Sequence, residues 1–118
     1  MEPDFTDTLS DNLERKPRAT VGAQISMQEA IDWTKTYQAD HKGQLKAVYF
    51  SADVFQTLLK QYGADGIRIY NATDDQGKDC FVLVGATATG DLTEGQALVY
   101  DKGQSCPDTC AVSPLNHS

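Results

Sequence analysis

Apolar side chains recur at three- and four-residue spacing in two stretches of the chain and alternate or cluster in four others. Ser26 followed by Glu29 has the spacing of a capping box, each side chain accepting a backbone N–H at the helix start. Met27, Ala30, Ile31, Thr34 and Tyr37 then predict a helix over residues 27–39, with Ile25 and Ala30 placed as a hydrophobic staple and Gly43 in the loop beyond. A second helix is expected after Ser51, with Asp53 in the first turn where the helix dipole favours a carboxylate. Val54, Phe55, Leu58, Leu59 and Tyr62 form its apolar stripe, and Gly63 is placed to end it.

The strand signals lie between and after the helices. Residues 45–50 are rich in strand formers, and residues 66–72 alternate, with Ile67 and Ile69 on one side and Arg68 and Tyr70 on the other. Asp74-Asp75-Gln76-Gly77 reads as a hairpin turn in which Gly77 can take a positive φ. Residues 80–86 are apolar on both faces, as a central, doubly covered strand would be, and residues 96–100 are a further strand. The order is helix, strand, helix and three strands. It predicts an α+β domain with two helices packed on a mostly antiparallel sheet of about four strands.

Both ends break this pattern. Glu2, Asp4, Asp7, Asp11 and Glu14 precede any basic residue, so residues 1–24 read as an acidic extension, residues 25–102 as the single domain, and residues 103–118 as a tail carrying cysteine and proline. A length of 118 residues suits one domain. Seventeen acidic against ten basic residues give a net charge of −7, which argues against nucleic acid and anionic membranes as partners. No apolar run approaches the ~20 residues needed to cross a bilayer. The opening Met-Glu-Pro-Asp lacks the basic and apolar regions of a signal peptide, so the expected setting is the cytoplasm, or export by a route without a recognisable signal.

Candidate chemistry is sparse. Cys106 and Cys110 lie four apart, which fits neither a thioredoxin-like pair nor a complete zinc motif. They could hold zinc together with His117 and either Cys80 or His41, form a local disulfide, or remain free thiols, the state a reducing cytosol favours. Otherwise no cofactor is expected. Cys80, inside an apolar strand, reads as a small buried hydrophobe, and Trp33 as core or interface packing. A calcium reading of the Asp74 turn fails, because Gln76 and Val82 stand where glycine and the closing glutamate belong. Asn71-Ala72-Thr73 and Asn116-His117-Ser118 match the glycosylation pattern, by accident if no export signal exists. Arg68 and Tyr70 could bind an anion together, and with a carboxylate such as Asp65 they are the only candidates for catalysis. No nucleophile–base pair can be named, and the protein is expected not to be an enzyme.

Trp33-Thr34, Lys46-Ala47 with Phe50, Gly66-Ile67-Arg68-Ile69-Tyr70, Leu83-Val84-Gly85, Asp91-Leu92, Cys106-Pro107 with Cys110, and Pro114-Leu115-Asn116 occur in this order. Together they resemble a group of small bacterial proteins without an established activity. The resemblance implies that the cysteine-bearing tail belongs to the common pattern, and it carries over no catalytic or binding residue. Ordering polar ends costs ~1–2 kcal/mol of backbone entropy per residue, which neighbouring copies could offset by strand addition. The expectation is a non-enzymatic interaction or self-assembling structural protein whose tails contact neighbouring subunits, a homo-oligomer with room for an unknown protein partner. A small-ligand or zinc-binding domain built on Cys106, Cys110 and His117 is the alternative.

Overall fold

The computed structural model describes residues 20–95 and 97–117. Residues 1–19 of the acidic extension, Gln96 at the start of the last expected strand, and Ser118 of the second glycosylation pattern lie outside the described residues. The fold is α+β in the expected element order: α1 Met27–Asp40, β1 Ala47–Tyr49, α2 Ala52–Lys60, β2 Gly66–Thr73, β3 Asp79–Thr87, β4 Gly90–Asp91, β5 Val99–Tyr100 and β6 Gln104–Cys106.

The capping box forms: Glu29 N–H donates to Ser26 Oγ and Ser26 N–H donates to Glu29 Oε1, each at 3.0 Å. The second helix starts after Ser51 without a side-chain cap and ends at Lys60 with Gln61 as its C-cap, short of Gly63. Leu58 is fully buried, whereas Tyr62 lies beyond the last turn and is exposed.

Strand β3 is the centre of a four-stranded antiparallel sheet, flanked on one side by β2 and on the other by β4 and β5. Its residues Leu83, Val84, Gly85 and Ala86 are consecutive and all buried, so both of its faces are covered. The turn joining β2 to β3 is held by Asp74, whose Oδ1 accepts the N–H groups of Gln76 and Lys78 at 2.9 Å. Gly77 supplies the left-handed residue of that turn at φ +81.

Directly paired residues share a face, and the register therefore sorts the side chains. Ile67 stands opposite Gly85, and Ile69 opposite Leu83. On this side a Cβ added to Gly85 would lie 3.1 Å from the Leu58 carbonyl oxygen and 3.4 Å from Ala64 Cβ, so the end of α2 presses directly on β3. On the other side Arg68 stands opposite Val84, Tyr70 opposite Val82, and Asp91 opposite Ala86.

Strand β1 does not join this sheet. It pairs antiparallel with β6 in a separate two-stranded ribbon, Val48 opposite Ser105. The ribbon depends on a close approach at Gly103, where a Cβ would lie 2.7 Å from Tyr49 O and 2.9 Å from Phe50 Cζ. Residues 104–106, assigned to the tail by their lack of pattern, thus supply a strand.

Candidate functional site

The alternation of β2 places Arg68 and Tyr70 on one face, and there they do converge on an anion. That anion is Asp91 of the same chain. Arg68 Nη1 donates to Asp91 Oδ1 and the Tyr70 hydroxyl to Asp91 Oδ2, while Arg68 Nη2 donates to Thr87 O at 2.9 Å. Because β2 and β4 flank β3, these side chains must cross the central strand, over Val84 and Ala86. The hydrogen bond from Tyr70, together with the bond and charge of Arg68, holds the Asp91 carboxyl below its ordinary range. The same bond to Asp91, reinforced by desolvation, raises the Tyr70 phenol above its ordinary value. Both oxygens of the carboxylate and the guanidinium are thereby committed within the chain. Asp65, on the turn leading into β2, bonds through its N–H to Ala86 O at 3.0 Å and is not the carboxylate these residues use.

The second cluster ties the C-terminal segment to α1. Gln38, buried on α1, donates through Nε2 to Leu115 O at 3.0 Å and accepts the His117 N–H at 2.8 Å. Both ends of its amide are satisfied, which makes its burial tolerable. Thr34, one turn earlier on the same face, directs its single hydroxyl proton toward the carbonyls of Ala30 and Ile31. Its oxygen is left to accept from His117 Nε2, 3.0 Å away, which assigns the ring proton to that nitrogen. Lys46 Nζ donates to Asn116 Oδ1 at 3.2 Å and to His117 O at 2.5 Å. Residues 115–117 are therefore read by three side chains, from α1 and from the approach to β1.

Cys106 and Cys110 are joined in a disulfide, and the Cys106–Pro107 bond is cis. Of the three states open to the pair, the structure contains the oxidised one, not the free thiols that a reducing cytosol favours. The bond leaves neither sulfur as a thiolate donor, and His117 faces Thr34. Among the described residues no group of three His, Cys, Asp or Glu side chains is arranged to hold a metal. Asn116 links the disulfide to the C-terminal cluster, its Oδ1 3.9 Å from Cys106 Sγ and its Nδ2 donating to Ala111 O at 3.3 Å.

Cys80 is a free, half-buried thiol, pushed up in pKa by desolvation and by the neighbouring carboxylate of Asp101. A thiol so biased toward its protonated form is a poor nucleophile. Trp33 is 59% exposed and so does not pack in the core. His41 stacks on Tyr37 with ring centroids 3.8 Å apart and bonds through Nδ1 to Tyr37 O, far in role from a metal ligand.

The remaining feature is an open edge. Strand β2 spans eight residues and, among the described residues, pairs on one side only, with β3. Ile69 is 55% exposed, and Tyr70 and Asn71 beside it are also exposed. Asp91, Gln38 and Lys46 escape a sequence reading because their partners are 23, 77 and 70 positions away respectively. Among the described residues no helix is long and apolar enough to cross a membrane. Against this geometry, no protein-family model, curated protein or solved structure matches the chain.

Proposed function

We propose that this is a non-enzymatic, self-assembling structural or interaction protein, in which neighbouring copies meet along β2 and at the segments leading to either end. The open edge of β2 carries the reading. An eight-residue strand that, among the described residues, pairs along one edge only and carries an exposed isoleucine and tyrosine has the form that strand addition requires. The polar clusters support the same view from the other direction. Arg68 and Tyr70 are spent on Asp91, and Gln38 and Lys46 on residues 115–117, so the groups best suited to bind or transform a small molecule instead hold the scaffold together.

Because residues 115–117 are committed to α1, the C-terminal tail would meet a neighbour through the fully exposed stretch around Val112. The Cys106–Cys110 bond favours an oxidising environment for the assembled protein. Light scattering coupled to gel filtration tests the proposal. The full chain is expected to elute well above its single-chain mass of 12.9 kDa, and removal of residues 1–24 to lower the assembled mass. A single-chain particle both before the removal, at 12.9 kDa, and after it, at the correspondingly smaller mass, refutes it.

A further inference from the structure

We infer that the partner on the β2 edge is β2 of a second copy, paired antiparallel about a two-fold axis that passes beside Ile69. This deepens the self-assembly reading and rests on it. Natural edge strands are guarded by lysine, proline, bulges or inward-pointing charge. The β2 sequence Gly-Ile-Arg-Ile-Tyr-Asn-Ala-Thr contains no proline or lysine, and its register with β3 runs unbroken from Gly66 to Thr73. Its one charge, Arg68, is turned across the sheet and neutralised by Asp91. In a molecule of net charge −7 this strip is therefore a place where two copies can touch without meeting like charge along the strand.

Symmetry narrows the register. A two-fold axis that extends a sheet with antiparallel strands stands perpendicular to it and keeps equivalent faces on the same side. Such an axis sets a residue against its own copy. Centred on Ile69, it places two exposed isoleucines together on the α2 side, while Arg68 and Tyr70 stay turned across β3 toward Asp91 on the other. Aliphatic contact across the seam is a favourable cross-strand pair.

The test is sedimentation equilibrium of the full chain over a wide concentration range at low and high salt, with Ile69→Lys, Asn71→Lys and Tyr49→Lys. Tyr49 is 64% exposed on β1, away from the edge. Each substitution changes the net charge from −7 to −6, which by itself favours association. The expected result is a reversible dimer that Ile69→Lys weakens by roughly tenfold or more by setting two lysines face to face. Asn71→Lys should weaken it as well, and carries the test if Ile69→Lys fails to fold by circular dichroism; Tyr49→Lys should leave it intact. An oligomer that withstands both β2 substitutions, or yields equally to Tyr49→Lys, overturns the β2 pairing while leaving self-assembly standing. A monomer at every concentration and salt overturns both.

Discussion

Opening the Cys106–Cys110 bond is expected to destabilise the fold by about 2 kcal/mol. The two cysteines are separated by 4 positions, and the entropy that closing so short a loop withholds from the unfolded chain is about 7 cal/mol/K. A folded unit of roughly a hundred residues unfolds with an entropy of about 0.2 kcal/mol/K, so the loss corresponds to about 10 °C in Tm. Reduction is the cleaner perturbation, because it breaks the cross-link and keeps both sulfur atoms in place; serine at the buried Cys106 would add a desolvated hydroxyl. Calorimetric melts with and without a phosphine reductant measure the shift, and Cys80→Ala controls for the remaining thiol. Asn116 contacts both the disulfide loop and Lys46, so the loosening should also reach the C-terminal cluster. Hydrogen exchange at the His117 amide, which donates to Gln38, should accelerate in the reduced protein. Melts that agree within about 2 °C would mean that other contacts already close the loop, and would refute this reasoning.

Gly103→Ala should cost about 1–3 kcal/mol or more, because the new Cβ would lie 2.7 Å from the Tyr49 carbonyl oxygen, and backbone cannot move aside as a side chain can; urea unfolding measures it. Gln38→Ala leaves Leu115 O and the His117 N–H without their partner and should cost about 1–3 kcal/mol in the same assay, with faster exchange at residues 115–117. The Arg68–Tyr70–Asp91 cluster is expected to weaken at both extremes of pH. Asp91 is held below its ordinary value, so its contribution is present above the unfolded carboxyl value of about 3.9 and disappears as pH falls through the lower folded one. Tyr70 is raised, so its contribution is present below about 10 and disappears as pH climbs through the higher folded value. Urea midpoints followed against pH should show a smaller acid limb in Asp91→Asn and a smaller alkaline limb in Tyr70→Phe, the remainder coming from groups such as the lowered Asp74 and the raised Cys80; unchanged limbs would separate these residues from the pH response.

Local information determined the elements whose causes are local. The Ser26–Glu29 box, the alternation that puts Arg68 and Tyr70 on one face, and the apolar run that makes β3 central all act through neighbours within a few positions, and each is legible in the chain. Helix α1 marks the limit of such reading. Its apparent stripe includes Met27 and Tyr37, yet both are exposed, and the side chain it buries is Gln38, chosen because residues 115–117 return to meet it. Strand β1 has the composition of a strand, but its partner Gln104–Cys106 has no alternation to announce it and is admitted by the missing Cβ of Gly103. The identity of the anion between Arg68 and Tyr70 was likewise decided by tertiary structure. The strand signal settles which way a side chain points, but the choice of Asp91 over Asp65 follows from β4 pairing beside β3, a long-range event that no spacing along the chain encodes.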